Sequence, residues 1–98
     1  MSEASETVTA AVTMTHAVGL HARPSVKLTK LAKTFAARIE LSTGAEAPWI
    51  DAKSIVKVMA AKAPKDTVLT FRAAGPDADA AVAALVALVE RDFDEHEG

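Results

Sequence analysis

A histidine stands at the predicted start of a helix in the segment from Gly19 to Ser25, and this feature constrains the fold more than any other. Pro24 has no backbone N–H, so the helix must begin within a few residues before it. Gly19 is typical of a turn, and apolar residues at helical spacing follow the proline: Val26, Leu28, Leu31, Ala32 and Phe35. His21 is therefore predicted at or near the N-cap position. Unused N–H groups and the positive end of the helix dipole meet there, which favours an anion.

The side chains at this helix start suit a phosphoryl group. The imidazole of His21 can act as a nucleophile near neutral pH. Arg23 lies in the same helical turn, and its forked donors match the geometry of phosphate oxygens. The pair predicts that His21 takes up a phosphoryl group and that Arg23 stabilises it. A histidine beside a helix start is also common without any function, so the rest of the chain has to decide between the two interpretations.

The composition predicts one globular domain. The chain has 98 residues, of which half are apolar, and it contains no cysteine, so a disulfide framework and a cysteine-ligated metal site are excluded. No apolar run approaches the ~20 residues needed to span a membrane, and the polar, acidic N-terminus is unlike a secretory signal. We expect a flexible segment over 1–6, a single domain over 7–93, an acidic tail over 94–98 and a cytoplasmic location.

The pattern of residues predicts the element order β-α-β-β-α-β-α. Strands are expected at 7–13, 38–42, 48–51 and 67–72, and helices at 22–35, at 55–62 and after Gly75. In the final helix the apolar stripe comprises Ala78, Ala81, Val82, Leu85, Val86, Val89 and Phe93. This order predicts an α+β two-layer sandwich, in which three helices cover one face of a four-stranded antiparallel sheet. The loops are so short that we expect no room for a cofactor pocket.

Charge is distributed unevenly along the chain. Ten of the eleven basic residues lie between His21 and Arg72, together with only four acidic ones, while the overall net charge is −2. A basic central region suits nucleic acid or an acidic protein partner. With one Trp, three Phe and no Tyr, the chain has little material for stacking bases, which disfavours nucleic acid.

Three separated signatures resemble the HPr family, the histidine-containing phosphocarriers of the phosphoenolpyruvate-dependent phosphotransferase system. They are Gly-Leu-His-Ala-Arg-Pro at 19–24, Ala-Lys-Ser-Ile-Val at 52–56 and Ala-Gly-Pro-Asp at 74–77, and their spacing fits the family from Val8 to about Phe93. The resemblance implies an HPr-like open-faced sandwich. It also implies that His21 accepts a phosphoryl group from enzyme I, through Nδ1 in that family, and passes it to a histidine of an enzyme IIA-type acceptor. No independent turnover, cofactor, metal or membrane insertion is implied, and a monomer suits such a carrier.

The resemblance further implies a regulatory site and a docking patch. Ser54 matches the serine that a dedicated HPr kinase/phosphorylase modifies in many family members, although it could serve only to cap the second helix. The expected partner-binding residues are Leu20, Pro24, Lys27, Lys53, Ile55, Val56, Lys57 and Met59. A solvated outer helix face for Lys27 and Lys30, and core packing for Ile55 and Met59, are the alternatives.

Some features depart from common family members or stay open. The hairpin over 43–48 is longer by about two residues and is followed by Trp49, and Lys62 stands where many relatives carry glycine. His16 and His96 are expected to be incidental, in a loop and in the acidic tail, and His16 with His21 makes too few ligands for a metal. A regulatory family member in nitrogen or carbon control is an alternative function. A small module that binds RNA or a small ligand is another.

Overall fold

A computed structural model describes residues 7–16, 19–44 and 46–94. The strands are β1 (Val8–Thr13), β2 (Arg38–Ser42), β3 (Ile50–Asp51) and β4 (Val68–Ala74), and the helices are α1 (Ala22–Ala32), α2 (Ile55–Ala61) and α3 (Ala78–Glu90). All pairings in the sheet are antiparallel and the strand order is β1-β4-β2-β3. The predicted α+β fold class is confirmed. The predicted segment 1–6, residues 95–98 of the predicted tail and His96 lie outside the described residues.

Alternation along the central strand β4 separates the two faces of the sheet. Leu69, Phe71 and Ala73 are buried, whereas Thr70 and Arg72 between them are partly exposed. Phe71 pairs with Ala10 of β1 and with Leu41 of β2, so its ring lies at the middle of the sheet. The helices contribute the other half of the core, with Leu28, Ala32, Val58, Ala81, Val82, Leu85, Leu88 and Val89.

The other face of the sheet carries a polar cluster. Arg72 donates to Glu40 at 2.7 Å, and its guanidinium carbon lies 4.0 Å from the centre of the Trp49 ring. Open depressions of about 310 and 520 Å³ adjoin this cluster. These depressions lie open on the surface, and Trp49 lines the larger of the two.

The first helix is shorter than its apolar pattern predicts. It ends at Ala32, and Phe35 lies in the loop that follows, half-buried against the core. The N–H groups of Ala36 and Ala37 donate to the carboxylate of Asp77 at 2.9 and 2.8 Å, so they are not available for further helical turns. Val26 was also assigned to the apolar stripe, but it is 42% exposed.

The second helix ends at Ala61, three residues before Pro64. Lys62 adopts a left-handed conformation with φ 51° and ψ 42°, and its N–H donates to the carbonyl of Met59. This conformation is the one that glycine adopts most readily at a helix C-terminus. The left-handed backbone at Lys62 therefore ends α2, and Pro64 comes two residues after Lys62. Small shifts affect the strands as well, since β1 starts at Val8, β3 starts at Ile50 and β4 continues to Ala74.

A left-handed turn follows the last helix. Asp92, Phe93 and Asp94 have φ values of 54°, 58° and 61°, a conformation that costs L-residues about 1–2 kcal/mol each. The turn places the Phe93 ring in the core with no exposed surface. Phe93 is buried as predicted, although it is reached by this turn and not by continuation of α3, which ends at Glu90. Leu88, which the predicted stripe omitted, is buried too.

Candidate functional site

The loop before α1 requires glycine at position 19. Gly19 has a φ of +75°, and a Cβ placed on it would lie 2.3 Å from the carbonyl oxygen of Ala63. The next residue, Leu20, donates its N–H to that same carbonyl at 2.8 Å. The loop is thereby attached to the chain just beyond α2, and it delivers His21 to the surface at a defined place.

His21 is the N-cap residue of α1, as the sequence predicts. Its backbone is extended, with φ −102° and ψ −159°, and its carbonyl accepts the first helical hydrogen bond from Ser25 N–H at 3.0 Å. Its side chain makes no capping hydrogen bond and is exposed. An N-cap side chain usually accepts from an N–H of the first turn. The imidazole of His21 is therefore available for other chemistry.

Arg23 lies two residues farther along, in the first turn of α1, and its side chain is exposed. The first N–H groups of a helix have no partner within the helix. Pro24, which lacks an N–H, takes the third helical position, as its sequence position predicts, and its side chain is buried. The N-terminus thus combines a nucleophilic ring, a guanidinium and the positive end of the helix dipole, the features that stabilise a phosphoryl group.

The sequence interpretation did not foresee the position of the His16 ring. Its ring is 8% exposed and lies with its centre 5.7 Å from that of His21, at an interplanar angle of 53°. On another side, its ring meets Phe93 edge-on at 5.9 Å and 70°. Phe93 follows His16 by 77 residues, so no local signal in the sequence predicts their contact. His16 lies only five residues before His21, yet no periodic pattern shows which way its ring faces.

Two of the lysines expected at the partner surface bind backbone carbonyls. Lys27 donates from Nζ to the carbonyl of Phe93 at 3.0 Å, and Lys53 donates to that of Phe35 at 2.8 Å. Both side chains are half-buried. Lys30 is exposed, as an outer helix face predicts. Lys27 and Lys53 therefore hold loop residues in place. Of Lys27 and Lys30, only Lys30 lies on a solvated outer helix face.

The expected docking patch needs two corrections. Leu20 is 3% exposed and Pro24 is fully buried, because both side chains pack under the start of α1. They cannot contribute exposed apolar surface. Val56 is 74% exposed and Met59 40%, Lys57 is exposed and Ile55 is half-buried. We use the name α2 patch for Ile55, Val56, Lys57 and Met59.

The start of α1 meets the end of α2. A shallow depression of about 370 Å³ beside His21 is lined by Leu20, Ala22, Met59, Lys62, Ala63 and Pro64. Met59 is the member of the α2 patch that lies beside His21. The start of α2 lies about 10 Å from the end of the helix, given seven residues at 1.5 Å each.

Ser54 is the N-cap of α2, as predicted. Its Oγ accepts the N–H of Lys57 at 3.3 Å, and its carbonyl accepts the N–H of Val58 at 3.0 Å. The side chain is half-buried and therefore reachable from solvent. Ser54 has a structural role whether or not it is modified.

A metal centre has no support in the part of the chain that the structure describes. Over 7–16, 19–44 and 46–94, no group of three or more His, Cys, Asp or Glu side chains could hold a metal ion. Within the same ranges, no helix is long and apolar enough to cross a membrane.

Comparison with known proteins identifies the class. Residues 8–91 match the family model described as PTS HPr component phosphorylation site. The phosphocarrier protein HPr of Cupriavidus necator is 40% identical over 85 residues, which cover 87% of this chain and 93% of the relative. The phosphocarrier protein NPr of Escherichia coli K12 is 35% identical over 89 residues, or 91% of this chain and 98% of the relative.

Solved structures agree with the sequence relatives. HPr from Thermoanaerobacter tengcongensis superposes with a TM-score of 0.83 at 29% identity, covering 92% of this chain and 99% of that one. HPr from Bacillus anthracis gives 0.78 at 29% identity, covering 85% and 96%. The chain belongs to the HPr family of phosphocarriers of the phosphotransferase system.

Proposed function

We propose that the protein carries a phosphoryl group on His21, which it accepts from phospho-enzyme I and passes to a histidine of an enzyme IIA-type acceptor. The observation that carries this proposal is the exposed N-cap position of His21, whose ring does not cap its own helix. The histidine also lies within the segment that matches the family model. The protein has no turnover of its own, since each cycle needs a donor and an acceptor.

The accepting step is an in-line displacement at phosphorus. A lone pair on one ring nitrogen of His21 attacks phosphorus, while the other ring nitrogen keeps its proton. The bond between phosphorus and the donor atom breaks, and its electron pair stays with the donor. Arg23 and the first-turn N–H groups of α1 stabilise the phosphoryl oxygens. Delivery to the acceptor is the same displacement, with the phosphorus–nitrogen bond of His21 breaking.

A carrier must release its phosphoryl group as readily as it takes it up. A helix N-terminus at an exposed position stabilises an anion by only about 0.3–1 kcal/mol. Such modest stabilisation suits a group that has to pass on. The exposure of His21 and Arg23 lets two different proteins approach the same atoms in turn.

The α2 patch is the proposed docking surface for both partners. Val56 and Met59 offer exposed apolar area, and Lys57 adds positive charge that suits an acidic partner. Met59 also lines the depression beside His21, so a partner seated on the patch lies next to the reacting ring.

Ser54 is a proposed site of regulatory phosphorylation by an HPr kinase/phosphorylase. A phosphoserine carries about −1.5 to −2 charge. At this N-cap the helix dipole tolerates the charge, so the fold persists. The added charge lies next to Ile55 and Val56 and repels an acidic partner. The modification therefore slows transfer at His21 by weakening docking, and not by acting on the ring.

The primary test is incubation with phosphoenolpyruvate, Mg²⁺ and purified enzyme I, followed by intact mass. The expected result is the gain of one acid-labile phosphoryl mass, absent in His21→Ala and retained in the matched control His96→Ala. Labelling that survives in His21→Ala would overturn the assignment of the site. No labelling of wild type by an enzyme I active on its own HPr would overturn the carrier function.

The test of Ser54 uses HPr kinase/phosphorylase and ATP. Ser54→Ala should abolish an acid-stable phosphoryl mass, and so should Ser54→Asn, which preserves helix capping. Labelling of either variant would place the modification elsewhere.

The acceptor branch is identified by offering phosphorylated protein to IIA-type domains of sugar-transport and nitrogen-control systems. The relatives named HPr and NPr match over nearly the same span, at 40% and 35% identity. Faster transfer to a sugar-transport acceptor supports the sugar branch, and faster transfer to a nitrogen-control acceptor supports the regulatory alternative.

A further inference from the structure

Three rings lie in a row at the candidate site, two of them five residues apart in the chain and the third, Phe93, far from both. Phe93 contacts His16 edge-on at 5.9 Å, and His16 contacts His21 at 5.7 Å between ring centres. Exposure rises along the row, from none for Phe93 through 8% for His16 to an exposed His21. The inner two rings belong to the core, and the outer ring projects into solvent.

The inner part of the row is held by several independent contacts. The carbonyl of Phe93 accepts from Lys27 Nζ, and the adjacent Asp92 carboxylate accepts from the hydroxyl of Thr15 at 2.8 Å. The carbonyl of His16 accepts the N–H of Gly19 at 3.1 Å. Side chains buried in a closely packed core have few alternative rotamers. The His16 ring is therefore a fixed surface against which the next ring lies.

The outer ring lacks the usual restraint of an N-cap side chain. A capping hydrogen bond to the first turn would fix the rotamer of His21, and none is present. A half-turn about the Cβ–Cγ bond exchanges the ring edge that carries Nδ1 for the edge that carries Nε2, and each nitrogen holds the free lone pair in one of the two tautomers of neutral imidazole. A carrier delivers through the nitrogen that received the phosphoryl group, because the group stays bonded to it between the two steps. Some other contact must select it.

We propose that His16 is a positioning residue for phosphoryl transfer, whose ring restricts rotation of the His21 side chain and so selects the nitrogen that meets phosphorus. This inference rests on the proposed carrier function of His21. His16 itself forms no bond to phosphorus. Its contribution is the contact energy of one ring pair, which keeps His21 in an orientation suited to in-line attack.

The test compares His16→Ala, which removes the ring, with His16→Phe, which keeps a planar ring of similar size. Val82→Ala is the matched control, because it truncates a buried side chain of α3 that is not part of the row of three rings. Phospho-enzyme I supplies one donor. Phosphoramidate supplies a second, which is too small to use a docking surface. The readouts are the ratio of Nδ1- to Nε2-phosphohistidine by NMR, and kcat and KM separately with enzyme I.

We expect His16→Ala to lower kcat about two- to tenfold with little change in KM, in line with one aromatic contact. We also expect it to mix the two phosphohistidine isomers with both donors. His16→Phe should restore the single isomer and most of kcat. Val82→Ala should lower thermal stability yet leave the isomer ratio unchanged.

Other outcomes separate the two proposals. If wild type is labelled at His21 and His16→Ala gives the same isomer ratio and kcat, the positioning role is wrong while the carrier function stands. If His16→Phe resembles His16→Ala, the ring shape is not what positions His21, and the proposal fails as stated. If wild type takes up no phosphoryl group from enzyme I, the carrier function fails first. If Val82→Ala also gives a mixture of the two phosphohistidine isomers, general loosening of the fold is responsible and the positioning role of His16 is wrong.

Discussion

The starts of α1 and α2 have the same backbone arrangement, but their N-cap side chains have different roles. His21 and Ser54 are both extended N-cap residues whose carbonyls accept the first helical hydrogen bond. Ser54 also uses its hydroxyl to accept from Lys57, whereas His21 leaves its ring out of the helix. A cap that satisfies the backbone contributes to stability. The start of α1 lacks that contribution, and its side chain is available for chemistry.

The third helix start shows another use of the same position. Asp77 is the N-cap of α3, yet its carboxylate makes no capping bond and instead accepts the N–H groups of Ala36 and Ala37. The N–H of Ala36 lowers the pKa of Asp77 below its ordinary value of 3.8, partial desolvation opposes this, and the N–H of Ala37 adds to it. Ser54 thus serves its own helix, Asp77 serves a distant loop, and the side chain of His21 makes no capping bond to its helix.

The largest effect is expected for His21→Asn. Loss of the imidazole should abolish phosphoryl uptake completely. Asparagine is among the best capping residues, so the same change should stabilise the protein by about 0.5–1 kcal/mol, a rise in Tm of roughly 2–8 °C. Intact mass and thermal unfolding measure the two effects. His21→Ala should lose uptake without the gain in Tm, and an equal gain would mean that capping is not its cause.

Gly19→Ala should destabilise the start of α1 by about 2 kcal/mol or more, since it combines a left-handed φ with a clash against Ala63. Urea unfolding measures the loss. Gly44→Ala is the matched control, because a Cβ there meets nothing within 4 Å. Equal stability of the two variants would contradict the tight attachment of this loop to the end of α2.

Ser54→Ala should destabilise the protein by about 1 kcal/mol through loss of the cap, while Ser54→Asn stays near wild type. Both variants should accept a phosphoryl group at His21 at about the wild-type rate. Urea unfolding and the enzyme I assay check this pair. If the asparagine variant is as unstable as the alanine variant, the hydroxyl of Ser54 does something other than capping.

The smallest effect appears only in acid. Because the pKa of Asp77 is lowered in the folded protein, its charged form stabilises the fold at pH values above 3.8, the ordinary pKa of the group. This stabilisation is lost as pH falls through the folded pKa. Asp77→Asn should lower Tm at neutral pH and reduce the dependence of Tm on pH in that acid range. Asp79→Asn, also in the first turn of α3, should leave that dependence intact.

Local signals in the sequence predict much of the fold and the centre of the site. Gly19 and Pro24 together locate the start of α1, because glycine permits the positive φ of the turn and proline lacks the N–H that a later helical position would need. Alternation identifies β2 with its observed bounds, and the hydroxyl of Ser54 marks the start of α2. These features depend on residues within one or two turns of each other. The end of α1 at Ala32 is not predicted by such signals, and the loop that follows is held by Asp77, which binds Ala37 from 40 residues away.

Local sequence signals place a histidine at the N-cap position of α1, an arginine in the same turn and a serine at the N-cap position of α2. The tertiary structure sets the surroundings of these residues. It turned Phe93 into the core, placed His16 against His21, and brought the start of α1 to the end of α2. The contacts of Phe93 with His16 and of the start of α1 with the end of α2 join residues far apart in the chain, where burial and shape complementarity select the neighbours and no periodic pattern records them.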